Sequence, residues 1–123
     1  MAYDNSKVCI SLNAGGDLSA AQYLFVDMAA DGEIDAVSGA GAKAVGVLQT
    51  DPGAQGRAGE VCISGVTKVV AGGTIAAGAQ VASNASGEAV AASTGNIVLG
   101  TALEAADSGD IIPMIFNPGN VAP

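Results

Sequence analysis

Few residues of this chain could take part in chemistry, and histidine is absent from its 123 residues. Without an imidazole, the sequence contains no histidine general base, no Ser-His or Cys-His nucleophile pair and no ordinary zinc or iron site. The two cysteines are Cys9 and Cys62. Because nothing marks the protein as secreted, we expect half-buried thiols in preference to one disulfide, although the sequence leaves both states open.

Acidic residues are the next candidates. Asp31, Glu33 and Asp35 alternate along the edge of one predicted strand. Their oxygens could in principle hold Ca²⁺, but the spacing of a calcium loop is not met, because Ala36 stands where its turn glycine belongs. A solvated acidic strand face is the favoured interpretation.

A pair of carboxylates and two lysines invite enzyme-related interpretations. Asp107 and Asp110 flank a predicted turn, yet no aromatic platform or cleft suited to acid–base catalysis accompanies them. Lipoyl- and biotinyl-carrier domains present a lysine at a tight turn with acidic or Met neighbours. Here Lys68 falls within a predicted strand and Lys43 follows a Gly/Ala loop. We therefore expect no catalytic residue, no metal and no cofactor.

The elements that must position these residues occur as two similar sets. The tetrapeptide Val-Cys-Ile-Ser occupies residues 8–11 and again residues 61–64, and it contains both cysteines. Further matches follow at offsets of 50 to 57: Gly15-Gly16 with Gly72-Gly73, Ala21-Gln22-Tyr23 with Ala79-Gln80-Val81, Gly32 with Gly87, Gly46 with Gly100, and Gly59 with Gly109. Self-similarity near this period indicates one supersecondary unit used twice. We assign residues 8–58 to the first unit and 61–116 to the second unit of a single β domain.

The local pattern predicts strands throughout. Val8, Ile10 and Leu12 alternate with Cys9 and Ser11, which is the period of a half-buried strand. Residues 1–12 are therefore either an N-terminal arm or the first strand of the domain.

One predicted strand, residues 23–28, is apolar on both faces. We expect it to be covered once by the core and once by a partner. Pro113 cannot donate to a β ladder, so the strand 111–116 should lie at an edge or a bulge. Residues 102–107 could form one helical turn, and residues 117–123 are predicted to be a tail.

Composition restricts the class of protein. The length predicts one domain, whose core must be mainly aliphatic because the chain has no Trp and only two Phe. Since small side chains bury little area each, we expect modest stability as a monomer and further burial in an assembly. A net charge of −8 argues against nucleic-acid binding. No segment has the composition of a membrane span. We also expect no signal peptide, because the first residues do not combine a basic segment with an apolar stretch.

Between residues 46 and 116, the order of turn glycines and apolar strands resembles the small capsid cement, or head-decoration, proteins of tailed bacteriophages. The matching elements are Gly46-Val47, Gly59-Glu60-Val61, Gly65-Val66, Ala76-Ala77-Gly78, Gly87-Glu88, and Gly100-Thr101-Ala102-Leu103-Glu104-Ala105 before Gly109-Asp110. The resemblance implies an all-β fold: a small β-barrel or tulip-like domain with an extended N-terminal arm and a short C-terminal tail. It also implies a trimer on the outer shell, without catalysis.

These observations together predict a non-enzymatic structural protein that binds the outer surface of a phage capsid and stabilises the expanded shell. The expected partners are the major capsid protein and further copies of the chain in a homotrimer, with no nucleic acid and no membrane. The protein would be made in the host cytoplasm and reside on the virion. The candidate interface residues are Val8, Ile10, Leu12, Tyr23, Phe25, Glu33, Asp35 and Arg57. The alternatives are a phage tail or bacterial cell-surface β-domain and, less favoured, a lipoyl- or biotinyl-type carrier domain.

Overall fold

The computed structural model describes residues 5–122 and is all-β, as predicted. Its strands are β1 (Asn5–Ala14), β2 (Phe25–Ala30), β3 (Glu33–Ala36), β4 (Gly46–Leu48), β5 (Ala58–Val70), β6 (Gln80–Ser83), β7 (Ala89–Ala91), β8 (Ile97–Ala102) and β9 (Ile111–Val121). Within residues 5–122 there is no helix, so the helical turn expected at 102–107 is wrong. Ala106 instead exchanges backbone hydrogen bonds with Ile75, and this bridge holds the segment extended.

The strands form two rings that share β5. β1 pairs with β3 on one side and with β5 on the other, so the order β1-β3-β2-β4-β5 closes on itself. The second ring has the order β5-β9-β8-β6-β7. It closes through Ala71, directly after β5, which forms a parallel bridge to Ala89 at the start of β7. Below, these are called the first and the second ring.

The two rings have the same pairing pattern. In the first, β2 pairs antiparallel with β3 and β4, and in the second β6 pairs antiparallel with β7 and β8. Val26 lies opposite Gly46, and Val81 lies opposite Gly100. Val81 is therefore the counterpart of Val26 and not of Tyr23, with which the sequence match aligned it. A duplication of residues 8–58 as 61–116 stays a prediction, which the common pairing pattern supports.

Gly46 and Gly100 occupy equivalent positions for the same steric reason. A Cβ atom on Gly46 would collide with the backbone carbonyl oxygen of Cys62, and one on Gly100 with that of Ile115. Cys62 and Ile115 also hold equivalent places in the ladders, opposite Val47 and Thr101. The counterpart of a β5 residue in β9 thus lies 53 positions further on, and not the 50 that the glycine match gave.

Each ring has its own buried core. The first core lies within the first ring and consists of Ala14, Leu18, Ala21, Val26, Ile34, Leu48 and Val61. The second core fills the second ring and extends to the first through Phe25, Val37, Ala44 and Val47. The ring centroids of Phe25 and Phe116 are 6.3 Å apart within it.

The predicted strand with two apolar faces corresponds to β2, and both faces are buried within the chain at its first two residues, whereas Met28 is exposed. Val26 belongs to the first core and Phe25 to the second, and both side chains are fully buried. The expectation that a partner covers the second face is therefore wrong. The second ring covers it, which a single repeat unit considered alone could not indicate.

The ends of the chain are more regular than the sequence suggested. From Asn5 onwards the N-terminal segment pairs with β5; residues 1–4 of the predicted arm lie outside the described residues. The tail predicted from residue 117 is wrong up to Val121, because β9 continues and pairs Val121 with Ile97. Gly119, with a φ of 143°, and a register shift in the β8–β9 pairing, whose extra residues 117–119 lie in β9, allow this continuation past Pro118.

Pro113 lies in β9 between β5 and β8, so its predicted edge position is wrong. Its carbonyl accepts a hydrogen bond from the N–H of Leu103, which follows the last residue of β8. The backbone N and O of one strand residue point towards the same neighbouring strand. The N–H that Pro113 lacks would therefore face Leu103, beyond the end of β8. The proline therefore interrupts no ladder hydrogen bond between paired strands.

Candidate interaction surface

The candidate interface residues on β1 differ in exposure. Val8 is 56% exposed and Ile10 is 39% exposed. Leu12, two residues further, is half-buried and packs against the first core. Because exposed aliphatic side chains of this size gain free energy on burial, Val8 and Ile10 are the members of the predicted set best placed to contact a partner.

Tyr23 and Phe25 do not form one surface. Tyr23 is half-buried with a φ of 66°, and the ammonium of Lys68 lies 5.7 Å from its ring centroid. Phe25 has no exposed surface, so its assignment to an interface is wrong. Its phenyl group packs against that of Phe116, where the first and the second ring meet. Lys68 lies within β5, and this position does not match the tight-turn lysine of a carrier domain.

The acidic candidates lie on the β2–β3 hairpin. Asp35 is exposed and lies opposite Asp27, whose carboxylate forms a 2.7 Å ion pair with Lys43. Glu33 is half-buried, and Asp31 is exposed in the connecting turn. In the described part of the chain, no three Cys, Asp or Glu residues are grouped so that they could hold a metal ion. The hairpin therefore presents negative charge to solvent.

Two further predicted groups lie in loops that precede a strand. Arg57 is exposed, and its backbone ties the 51–57 loop to the first ring, since its carbonyl accepts a hydrogen bond from the N–H of Ala14. The Asp110 carboxylate accepts a hydrogen bond from the backbone N–H of Asp107, and this bond stabilises the turn before β9. Among the described residues, neither loop brings Glu33 or Asp35, the other charged members of the predicted interface, into an ion pair with Arg57.

Sequence reasoning missed the contribution of β9. Ile111 and Ile115 are 45% and 39% exposed, while Ile112, Met114 and Phe116 between and after them are buried. The signal was present: residues 111–116 are apolar on both faces, like residues 23–28. In β9, unlike β2, one apolar face remains open to solvent.

Two of the exposed side chains, Val8 and Ile115, lie on either side of β5. Asn5 of β1 and Ile115 of β9 both lie opposite Val66, so β1 and β9 flank β5 at this point. Val8 lies opposite Ser64. Directly opposite residues on adjacent strands share a face, which places Val8 beside Ser64 and Val66 beside Ile115. We call Val8, Ser64, Val66 and Ile115 the β5 surface.

A polar cluster holds β1 against the rings beside this surface. The Lys7 ammonium donates to Oε1 of Gln49 at 2.9 Å, and Nε2 of Gln49 donates to the Thr67 hydroxyl at 2.8 Å. Gln49 and Thr67 are both buried. Close to this cluster, burial raises the pKa of the Cys62 thiol above its ordinary value, and the charge of Lys7 opposes that shift only in part. Buried polar groups that are fully hydrogen-bonded favour one arrangement of the strands.

Comparison with known proteins identifies the family. The family model of phage cement proteins matches residues 8–114, which include most of β1 and continue into β9. The chain therefore belongs to the phage cement protein family, whose members are structural proteins of bacteriophages. None of the curated proteins matches the sequence.

A solved structure has a similar fold. The head fibre gp8.5 N base of bacteriophage phi29 superposes with a TM-score of 0.68 at 22% sequence identity, covering 89% of this chain and 93% of that chain. No helix in residues 5–122 is long and apolar enough to cross a membrane.

Proposed function

We propose that the protein binds the outer surface of a phage capsid and stabilises the expanded shell, with no catalytic step of its own. The family match over residues 8–114 carries this proposal. The exposed apolar residues of the β5 surface support it, because they give a small acidic domain a place to lose water against a larger protein surface. The partner of this contact would be the major capsid protein.

The β5 surface is suited to docking because it lies on paired strands. Val8, Val66 and Ile115 project from three adjacent strands whose backbones are fixed by ladder hydrogen bonds. A surface on rigid elements loses little conformational entropy on binding. Residues 1–4 precede the strand that borders this surface, and we propose that they extend the contact as an arm.

Electrostatics would add to this contact. The net charge is −8, and the β2–β3 hairpin exposes Asp31 and Asp35. Opposed to a basic patch on the capsid, these charges would speed association. The effect is screened over about 8 Å at physiological salt.

Stabilisation follows from linkage. A ligand that binds the intact shell and not the ruptured one stabilises the shell by about 2.7 kcal/mol per site when its concentration is 100 times Kd. Because rupture under internal pressure is governed by a barrier, the effect would be measured as a slower rate of capsid failure. No reaction at the surface is needed.

We also propose that the protein forms a homotrimer. Since the second ring covers Phe25, residues 23–28 no longer support self-association. Val121, which is 64% exposed near the end of β9, is an apolar side chain that a neighbouring copy could cover. Sedimentation equilibrium should give a trimer for the free protein or for the protein released from shells. Monomers in both settings would contradict this part of the proposal.

Co-sedimentation with capsids of the cognate phage tests the proposed function. Wild-type protein should pellet with expanded shells, and the double variant V8D/I115D should bind at least tenfold more weakly. Met28→Asp is the matched control, since Met28 is 43% exposed on β2, outside the β5 surface. Equal binding of V8D/I115D and Met28→Asp would rule out the β5 surface. No binding of the wild type would contradict the proposed function itself.

A further inference from the structure

The two cysteines lie directly opposite each other across two strands. In the antiparallel pairing of β1 with β5, Cys9 is the register partner of Cys62, and the pairing continues without interruption from there to Asn13 and Ala58. Opposite residues share one face of the sheet. The Cys9 thiol also acts electrostatically on that of Cys62, which is consistent with this proximity. The repeated tetrapeptide thus brings its two copies together at their cysteines.

The geometry of this pair suits a disulfide. Opposite Cα atoms in an antiparallel ladder are about 4.5 to 5.5 Å apart, and disulfides join Cα atoms about 4.4 to 6.8 Å apart. The Cβ atoms of such a pair must approach by about 1 Å or less to reach bonding geometry. The register shifts of this strand pair lie before Cys9, so the cysteine pair is the first pair of the regular part of the ladder.

We propose that Cys9 and Cys62 are thiols while the protein is in a reducing compartment and form a disulfide when it reaches an oxidising one, which locks β1 onto β5. The oxidant is a small-molecule disulfide such as oxidised glutathione. Cys9 is half-buried and Cys62 is buried, so Cys9 reacts first.

The reaction proceeds by two thiol–disulfide exchanges. The Cys9 thiolate attacks one sulfur of oxidised glutathione, forming a mixed disulfide and releasing one glutathione thiolate. The Cys62 thiolate then attacks the Cys9 sulfur, forming the Cys9–Cys62 bond and releasing the second glutathione. Both protons go to solvent and the two electrons reduce the glutathione disulfide, so the exchange balances.

The bond would matter because of what β1 holds. It would close the first ring covalently, since β1 and β5 are the two strands that complete that ring. It would also fix the position of Val8, which precedes Cys9 in the chain and belongs to the β5 surface. Given the proposed function, from which only the setting of the oxidation is taken, a shell assembled in the host cytoplasm would be hardened after release.

Peptide mapping of the purified protein tests the bond directly and needs no capsid. Trypsin cleavage after Lys7, Lys43, Arg57 and Lys68 gives peptide 8–43 with Cys9 and peptide 58–68 with Cys62. After incubation with oxidised glutathione, the two peptides should be linked within a monomeric protein and should separate on reduction. The oxidised protein should melt roughly 10 °C higher than the reduced protein.

The Cys9→Ser variant is the control, and its melting temperature should not respond to oxidised glutathione. Cys62→Ala, which removes the other sulfur, should behave in the same way. The proposal is overturned if both thiols remain open to alkylation after oxidation, if the link joins two molecules, or if the internal link leaves the melting temperature unchanged. Because the readout is made on the free protein, its failure would leave the co-sedimentation result unaffected.

Discussion

The first and second rings share strand order and register, but they present different side chains on the equivalent hairpins. The β2–β3 hairpin has Asp27, Asp31, Glu33 and Asp35, whose counterparts in the β6–β7 hairpin are Ala82, Ser86, Glu88 and Val90. The exposed charge is thus concentrated on the first ring. The common pairing pattern maintains the fold, and the side chains that it leaves outside are those that differ between the two rings.

The interiors differ in the same way. The first core is wholly aliphatic and lies inside one ring, whereas the second contains both phenylalanines and extends across the junction between the rings. Aromatic side chains bury the largest areas, so the junction should contribute much of the stability of an aromatic-poor protein. The two rings are therefore expected to unfold together.

The largest expected effect is at this junction. Phe25→Ala should lower the free energy of unfolding by about 3–5 kcal/mol, although Phe25 lies on a strand of the first ring. Phe116→Ala should cost a similar amount. The double variant should lose about 0.5–1.5 kcal/mol less than the sum of the two single losses, because the phenyl groups of Phe25 and Phe116 are in contact.

Urea unfolding monitored by circular dichroism measures these differences, with Met28→Ala as the exposed control that should change stability by less than about 0.5 kcal/mol. If Phe25→Ala is as mild as Met28→Ala, the shared core does not join the rings.

Glycine substitutions test the equivalence of the rings. Gly46→Ala and Gly100→Ala should each destabilise by about 2–3 kcal/mol, because each added Cβ meets a backbone carbonyl of the adjacent strand. Gly53→Ala is the control, since a Cβ there meets nothing within 4 Å, and it should be nearly neutral. Thermal unfolding of the three variants would separate these outcomes. A large loss at only one of Gly46 and Gly100 would show that the rings are packed differently.

Charge removal tests the difference between the two hairpins. In stopped-flow or surface-binding measurements with shells, the double variant E33Q/D35N should slow association about two- to fivefold at low salt, and the difference should shrink as salt rises. Glu88→Gln, at the counterpart of Glu33, should leave the rate unchanged. Its side chain already accepts a hydrogen bond from Asn84. Equal effects of both changes would mean that net charge matters and the hairpin does not.

The smallest expected effect is a pH dependence at Cys62, which lies on the shared strand β5 between β1 and β4. Because the folded protein raises the pKa of Cys62, the stability that the neutral thiol contributes is present below about pH 8.5 and is lost as pH rises towards the folded value. Ile115, its counterpart in β9, cannot ionise. With a reductant present, Cys62→Ala should therefore lose less stability than the wild type between pH 7.5 and pH 10. Parallel losses in the two proteins would rule out this contribution.

The sequence predicted the class of fold well, but it did not show which apolar side chains are buried, for reasons seen at particular residues. The period-two alternation of Val8, Ile10 and Leu12 and the turn glycines depend on local backbone geometry, and local geometry can be inferred from neighbours in sequence. The partner of Phe25 could not be inferred, because Phe116 is brought to it by the closure of the second ring.

The same limit explains the missed β9 contacts. A strand segment that is apolar on both faces can be buried on both, as β2 is at Phe25 and Val26, or present one face to solvent, as β9 does at Ile111 and Ile115. Only the ring topology distinguishes these cases. The tail predicted at residues 117–123 is wrong for the equivalent reason, because the pairing of Val121 with Ile97 cannot be inferred from neighbours in sequence.

The measurement that tests the central claim most directly is the heat-induced release of the genome from virions assembled without this protein. Added wild-type protein should raise the temperature of release, or slow release at a fixed temperature, until its sites are saturated. Met28→Asp should restore the same protection, and V8D/I115D should restore little. Virions that release their genomes equally fast with and without the wild-type protein would contradict the account, as would full protection by V8D/I115D.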